Sequence, residues 1–231
     1  MFVRIQTRKQ RRFLWATPLL FAALWLAYVV SAINVPTAGR IATALDWGVL
    51  TSGLDSVPAW RKAVADGSVL RLLSGLFLHA DWIHLLGNLV FLLIFGLPAE
   101  RSMGGWRFLV LFLLGGAVAN LAAVLAIGAP DRVVIGASGA VSAVIGAYLA
   151  LFPGARLGVV LPLGLFLEFV RVPAFLLIGL WALLQVLFAY SGPAFGAVAW
   201  PAHIAGLLFG VVFALITRAA IARRLRRSRG Y

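Results

Sequence analysis

The chain has 231 residues, of which 63% are hydrophobic and only 12% are charged, and it carries a net charge of +13. So few charged side chains cannot cover the surface of a water-soluble protein, and several apolar runs approach the roughly 20 residues that cross a bilayer. The composition therefore excludes a soluble domain and predicts a polytopic membrane protein. There are no cysteines, which excludes disulfides, thiolate catalysis and metal sites built on cysteine.

Six apolar runs predict an all-α bundle of six membrane-spanning helices within a single domain, 1–231. The runs are Phe13 to Ile33, Ile83 to Leu97, Phe108 to Ile127, Ser138 to Pro153, Pro173 to Tyr190 and Trp200 to Thr217. The first run is long enough to span, so we interpret it as an uncleaved signal anchor. The apolar stretch Leu157 to Leu167 is too short to span and is interrupted by Gly158, Pro162 and Gly164, so we place it at the membrane interface.

A long, less hydrophobic segment, 34–82, separates the first two spans. It mixes acidic side chains such as Asp46 and Asp66 with the aromatic rings of Trp47 and Trp60. A segment of this length and amphipathic character is not typical of a simple linker. We expect a partly embedded first outer loop, folded as an Ω-like loop or a helical hairpin.

The basic residues predict the orientation of the chain. If the spans alternate, most of the 20 Lys and Arg residues fall on the side that also holds the basic tails 1–12 and 218–231. By the positive-inside rule this side is cytoplasmic, with both termini there. We interpret the tails as anchors at the lipid headgroups and expect no nucleic-acid partner. The short loops favour the plasma membrane of a bacterium.

Polar side chains that are unusual in a membrane lie near the start of three alternate spans. The second span carries His84 and Asn88, the fourth Ser138 and Ser142, and the sixth His203. Alternation makes all three spans begin at the outer face, and a spacing of four puts each pair on one helix face. Because polar groups are costly inside a membrane, their convergence at one depth indicates a functional site.

The length of the fourth span predicts how deep Ser138 lies. A helix from Ser138 to Pro153 is about 24 Å long, against a hydrocarbon core of roughly 30 Å. If Pro153 marks the inner boundary, Ser138 lies about 6 Å below the outer one. We therefore expect 133–137 to enter the membrane as non-helical chain beside a water-filled cavity. Gly136 and Gly139 suit such close approach of the backbone.

These residues predict a serine nucleophile activated by an imidazole. The hydroxyl of Ser138 needs a base, and His203 follows Pro201 in the first turn of its helix, whose positive end favours a neutral ring. The N–H of Ser138, with His84 and Asn88, would form an oxyanion hole. The prediction is a dyad without a carboxylate as third member. Metal ligation by the three histidines would lack a carboxylate or thiolate, so we expect no metal and no other cofactor.

Small residues predict how the two reacting helices meet. Gly206 and Gly210 are four residues apart in the sixth span, and Gly139 follows Ser138 at the start of the fourth. Such small-xxx-small patterns let membrane helices approach closely. We expect this packing to bring His203 to Ser138.

The remaining polar residues receive structural interpretations. We expect His79 to shape a loop, and Glu100 and Arg101 to be structural residues at the cytoplasmic end of the second span. Asn120 and Gln185 are single amides inside apolar helices, where hydrogen bonds between helices are the usual role.

Four motifs resemble, in order, the signature set of the rhomboid intramembrane serine proteases. They are His79-Ala80-Asp81-Trp82-Ile83-His84-Leu85-Leu86-Gly87-Asn88, Glu100-Arg101, Gly136-Ala137-Ser138-Gly139, and Ala202-His203-Ile204-Ala205-Gly206 through Gly210. The resemblance covers roughly 69–214 and implies a six-helix bundle that cleaves substrate transmembrane helices near their outer ends within the lipid bilayer. It also implies Ser138 as nucleophile, His203 as general base, and an oxyanion hole that includes His84 and Asn88.

At two positions this chain differs from the rhomboid pattern. Some rhomboids carry a tyrosine one turn after the nucleophile, packed on the catalytic imidazole, where this chain has Ser142. Many have Trp-Arg in the first loop, where this chain has Leu70-Arg71. The first departure leaves open what orients His203, and the second leaves open how the first loop is anchored.

Two other functions compete with proteolysis. Catalytically dead relatives of rhomboids bind client transmembrane helices, but such proteins usually lack the serine or the histidine, whereas this chain keeps Ser138 and His203. A small-solute transporter would be expected to show intramembrane charges or internal repeats, and neither is seen in the sequence.

We predict that the fifth span and the segment after it, 191–199, form the gate through which a substrate helix enters. The segment is uncharged and rich in Gly and Ala, as lids often are, and the resemblance to rhomboids implies the same role. Gly196→Pro should slow cleavage of a transmembrane substrate without unfolding the bundle. Unchanged turnover, measured beside a thermal unfolding curve, would count against this gate.

Overall fold

A computed structural model of the chain describes residues 13–32, 35–54, 56–126, 132–163, 166–191 and 199–227. Its helices are α1 (Ala16–Ala32), α2 (Thr37–Trp47), α3 (Val57–Ala65), α4 (Arg71–Ser74), α5 (Trp82–Phe91), α6 (Leu97–Met103), α7 (Gly105–Ala126), α8 (Ser138–Leu151), α9 (Ala174–Ser191) and α10 (Trp200–Arg227). Its strands are β1 (Val49–Leu50), β2 (Val133–Val134), β3 (Arg156–Leu163) and β4 (Phe166–Pro173).

Helices occupy all six of the predicted spans. Within the described residues, three are both long and apolar enough to cross a membrane, namely Trp82–Met103, Gly105–Ala126 and Trp200–Arg226. The other three, α1, α8 and α9, are shorter apolar helices. The chain is thus a multi-pass helical membrane protein, as its composition predicts.

The second span is longer than the predicted 83–97, because α5 and α6 continue each other through a π-helical turn, Leu92–Gly96. Pro98 lies in the first turn of α6. Proline lacks an N–H, and its ring clashes with the carbonyl group four residues earlier, whereas the wider π turn relieves this conflict without ending the helix. The helix therefore reaches Met103 and carries Glu100 within it.

Helix α8 lies at the centre of the bundle. Every residue from Gly139 to Tyr148 is buried, and α8 packs against α7, α9 and α10. Many of its side chains are Gly, Ala or Ser, so its neighbours approach it closely. The helix that begins with Ser138 is consequently the one most shielded from lipid.

The outer faces of the surrounding helices are apolar. Large hydrophobic side chains such as Leu26, Leu125, Leu180 and Ile216 are more than half exposed. Exposed apolar area of this extent is not stable in water and marks contact with lipid. The bundle therefore has the exterior of a membrane protein and an interior of small residues.

One end of the bundle is closed around a buried carboxylate. Glu100 is 1% exposed, and its Oε1 accepts the backbone N–H groups of Trp15 at 2.8 Å and Ala16 at 2.9 Å. Its Oε2 accepts the N–H of Thr17 at 2.8 Å. These N–H groups begin α1, where helical partners are missing and the helix dipole favours an anion. Glu100 therefore connects the first span to the second, and this connection is the structural role that the sequence predicted without specifying it.

The same end holds the α6–α7 junction and the end of α10. The indole of Trp15 lies against Gly105 and packs edge-on against Trp106, with ring centroids 4.9 Å apart. The guanidinium of Arg224 lies against Gly104. The start of α1, the junction of the second and third spans, and the end of the sixth span thus share one face, as alternating spans require.

The opposite end is formed largely by the first loop. It is a succession of short helices, α2, α3 and α4, with β1 between them, and not a single hairpin. Strand β1 pairs antiparallel with β2, with Val49 opposite Val134 and Leu50 opposite Val133. The loop is therefore bonded to the chain that leads into Ser138.

The segment placed at the interface contains a β-hairpin that the all-α prediction lacked. Strands β3 and β4 pair antiparallel from Arg156 opposite Pro173 to Leu163 opposite Phe166. The N–H of Ala174 donates to the carbonyl group of Ala155 at 2.8 Å, where α9 begins. In a two-stranded sheet both strands are edges, and an edge tolerates a proline such as Pro162.

Three of the sequence predictions concern residues outside those described. The N-terminal tail 1–12 and the last residues of the C-terminal tail, 228–231, are among them. So is most of the proposed gate segment, 192–198, which includes Gly196.

We predict that Glu100→Gln destabilises the bundle by about 1–3 kcal/mol, because a neutral amide has one acceptor oxygen for three buried N–H groups. The measurement is reversible unfolding in detergent. Asp66→Asn is the control, since Asp66 is an exposed carboxylate whose hydrogen bonds are to its near neighbour Ser68. Equal unfolding free energies for Glu100→Gln and wild type would show that the carboxylate is not needed there.

Candidate active site

Ser138 is the first residue of α8 and follows a turn at Ala137. Gly136 has a φ of +116°, which is strained for any residue with a Cβ. A Cβ at Gly136 would also lie 2.8 Å from Nε2 of His84. Glycine is needed here for both reasons, and its absence of a side chain lets the imidazole of His84 lie against the backbone two residues before Ser138.

The chain from Val133 to Ala137 is non-helical, as predicted. Its last two N–H groups have partners, because the N–H of Gly136 donates to the carbonyl group of Gly75 at 2.9 Å and the N–H of Ala137 donates to Nε2 of His79 at 3.4 Å. Backbone at membrane depth is stable only when it is satisfied in this way. The first loop therefore supplies the hydrogen bonds that hold the approach to Ser138.

His79 acts in this support. Its ring is 6% exposed, and burial, followed by the charge of nearby His84, lowers the pKa of His79 to about 4. The ring is thus neutral near pH 7 and accepts a hydrogen bond through Nε2. This contact agrees with the prediction that His79 shapes a loop.

The structure brings Ser138 and His203 into direct contact. Nε2 of His203 lies 2.8 Å from Oγ of Ser138, which is hydrogen-bonding distance. His203 lies in the first turn of α10, after Trp200 and Pro201, and is 9% exposed. A buried imidazole on a serine hydroxyl is the arrangement by which a base activates a nucleophile.

The other ring nitrogen of His203 contacts Gln185, and the sequence did not predict this contact. Oε1 of Gln185, on α9, lies 2.6 Å from Nδ1 of His203. Trp181 stacks on the imidazole with ring centroids 6.2 Å apart and an interplanar angle of 27°. Trp200 meets the ring edge-on at 6.0 Å. The sequence feature that could have indicated these contacts is a Gln inside an apolar helix, four residues after a Trp and therefore on the same helix face.

Ser142 does not take the place of the missing tyrosine. Its Oγ donates to the carbonyl group of Ser138 at 2.7 Å, so the hydroxyl is bonded within α8. The imidazole of His203 is instead stacked by Trp181 from α9. The support expected from the helix of the nucleophile comes here from a different helix.

His84 and Asn88 lie in the first turns of α5. Asp81 caps this helix, with Oδ1 accepting the N–H of His84 at 2.8 Å. Nδ2 of Asn88 donates to the carbonyl group of His84 at 3.1 Å, which leaves its second hydrogen for another acceptor. Asn88 is 6% exposed. Both side chains are therefore on the helix whose start packs against Gly136.

Glycines hold α8 and α10 in backbone contact. A Cβ at Gly206 would overlap the carbonyl oxygen of Gly139, and a Cβ at Gly210 would overlap that of Ala143. Gly139 faces Ala119 of α7 on its other side. The structure thus places these residues in the close helix contact that carries His203 to Ser138.

The sequence motifs and the helical membrane bundle predict a rhomboid, and comparison with known proteins confirms that family. The family model described as the rhomboid domain matches residues 66–220, which is more than half of the chain. The chain belongs to the rhomboid family.

Related proteins come from plants, animals, bacteria and parasites. RHOMBOID-like protein 5 of Arabidopsis thaliana is 33% identical over 90 residues, covering 39% of this chain and 29% of the relative. Rhomboid-related protein 2 of Mus musculus is 34% identical over 104 residues, covering 45% and 32%. Rhomboid-like protease 3 of Toxoplasma gondii is 37% identical over 92 residues, covering 40% and 34%. The chain thus spans about a third of the length of these relatives.

We predict that Gly206→Ala lowers the stability of the bundle by about 1–3 kcal/mol, because the added methyl group forces α8 and α10 apart. Gly179→Ala is the matched control, since a Cβ there meets nothing within 4 Å. Unfolding in detergent compares the two variants. If both behave like wild type, the helix contact is looser than the backbone geometry indicates.

Proposed function

We propose that this protein is an intramembrane serine endopeptidase that cleaves transmembrane segments of membrane proteins near their outer ends. Ser138 is the nucleophile and His203 the general base. The observation that carries the proposal is the 2.8 Å contact between Oγ of Ser138 and Nε2 of His203. Membership of a family in which some relatives are called proteases supports it.

The proposed reaction uses this contact twice. Nε2 of His203 takes the hydroxyl proton as Oγ of Ser138 attacks the peptide carbonyl carbon, and it then gives that proton to the leaving amine. Water then attacks the carbonyl carbon of the acyl-enzyme and loses a proton to the same nitrogen. The bond between that carbon and Oγ of Ser138 breaks, the proton passes from Nε2 to Oγ, and the carboxylic acid product leaves. A neutral imidazole with a free lone pair at Nε2 starts both halves of the cycle.

The negative charge of the tetrahedral intermediate is proposed to fall at the start of α8. The backbone N–H groups of the first turn of a helix have no helical partner, and the helix dipole is positive there. The N–H of Ser138 is the first donor, and the second hydrogen of Asn88 Nδ2 and the ring of His84 add side-chain donors. The contact of His84 with Gly136 supports a place near the oxyanion.

The proposed orientation puts both termini in the cytoplasm and the active site toward the outer face of the plasma membrane. It rests on the excess of basic residues at one side and on the positive-inside rule. The shared face of Trp15, Gly104 and Arg224 supports the alternation that this count assumes. In the same proposal the whole chain, 1–231, is one rhomboid domain with basic cytoplasmic tails at 1–12 and 218–231 and a first outer loop at 34–82.

Labelling with a fluorophosphonate tests the nucleophile. Purified wild type should be labelled and should cleave a transmembrane reporter, whereas Ser138→Ala and His203→Ala should lose both activities by about 1,000-fold or more. Ser31→Ala is the matched control, because this serine lies in α1 and its Oγ donates to the carbonyl group of Ala27.

Two outcomes contradict the proposal. Labelling or reporter cleavage that survives in Ser138→Ala would place the nucleophile elsewhere. A folded wild type that is never labelled, yet binds transmembrane helices, would identify a non-catalytic binder of client helices.

A further inference from the structure

Gln185 makes the hydrogen bond that the proposed dyad still needs. Its Oε1 lies 2.6 Å from Nδ1 of His203, while Nε2 of the same ring lies 2.8 Å from Oγ of Ser138. The three side chains therefore form one line, amide to imidazole to hydroxyl. Gln185 is 5% exposed and His203 is 9% exposed, so water does not readily replace either contact.

The chemistry of the imidazole fixes what this contact does. A neutral ring has one N–H and one lone pair, and a base for Ser138 must present the lone pair at Nε2. The proton must then be on Nδ1, where the amide oxygen of Gln185 accepts it. The amide thus selects the tautomer in which His203 is a base, which is the role that a buried carboxylate has in serine protease triads.

The face of the ring is held by the same helix. Trp181 is one turn before Gln185 on α9 and stacks on the imidazole of His203. Ser142 is bonded to the carbonyl group of Ser138. The ring is therefore held by α9 through an edge contact and a face contact.

Helix α9 is otherwise thinly attached. Among its described side chains only Ala174, Ile178 and Gln185 are buried. Among the described side chains of α9, Gln185 is thus the one buried polar residue, and its position follows that of the helix. The base is oriented only while α9 lies against α10.

We propose that Gln185 is a positioning residue that sets the tautomer and orientation of His203 from α9. The inference rests on the proposed function, because it assumes that His203 is the base for Ser138.

The test uses the full chain in detergent and three variants. Gln185→Leu removes the acceptor at nearly the same size, and Gln185→Glu keeps an acceptor oxygen but adds a charge. Asn120→Leu is the matched control, since Asn120 is another buried amide, 2% exposed, whose Nδ2 donates to the carbonyl group of Leu72. Rates of fluorophosphonate labelling are measured against pH, beside thermal unfolding.

Gln185→Leu should slow labelling about 10- to 100-fold near pH 7. Gln185→Glu should retain labelling, with the acid limb of its pH profile moved to higher pH, because a negative charge beside the ring favours its protonated form. Asn120→Leu should keep the wild-type profile. His79 and His84 are present in every protein, so differences between the profiles report on His203.

A labelling rate and pH profile in Gln185→Leu equal to those of wild type would overturn the proposal. If Gln185→Leu does not fold, an unmoved acid limb in Gln185→Glu overturns it instead.

Wild type without labelling would reject the proposed function, and ¹⁵N NMR of histidine-labelled protein then decides separately about Gln185. We expect the signal of His203, assigned from its loss in His203→Ala, to report a proton on Nδ1 in wild type and a tautomer mixture without the amide acceptor. A mixture in wild type as well would overturn the role of Gln185.

Discussion

Helices α8 and α10 touch backbone to backbone, and the proposed chemistry depends on this contact. Gly206 and Gly210 have no Cβ where the carbonyl oxygens of Gly139 and Ala143 lie. In lipid, helices gain little from burying apolar area against each other, so van der Waals contact between close backbones is a main source of association. Here the same contact sets the distance between Oγ of Ser138 and Nε2 of His203, so the stability of the bundle and the geometry of the proposed dyad share one cause.

A second constraint is that every backbone polar group inside a membrane needs a partner. The non-helical chain before α8 lacks helical hydrogen bonds, and residues of the first loop provide partners through Gly75, His79 and the pairing of Val49 with Val134. The long segment between the first two spans is therefore part of the support of Ser138. The segment is longer than a simple linker because it has to reach and support the chain before Ser138.

Prediction from sequence succeeded where a property is local. The positions of the six helices follow from runs of apolar residues, and the non-helical approach to Ser138 follows from helix length and the glycine pattern. It failed where partners are distant or the signal is ambiguous. Glu100 is more than 80 residues from the N–H groups it binds, and the β3–β4 hairpin has an apolar pattern that fits several interfacial structures.

The sequence by itself determined the class of protein, the helices of the bundle and the residues that resemble a rhomboid site, because composition, run length and motif order are properties of the chain alone. The tertiary structure alone decided which side chains hold His203. Ser142 stands where the rhomboid pattern of some members has a tyrosine, and the ring is held by Trp181 and Gln185. That contact depends on how α9 lies against α10, and the angle between two helices is set by packing across the whole bundle, which no local pattern specifies.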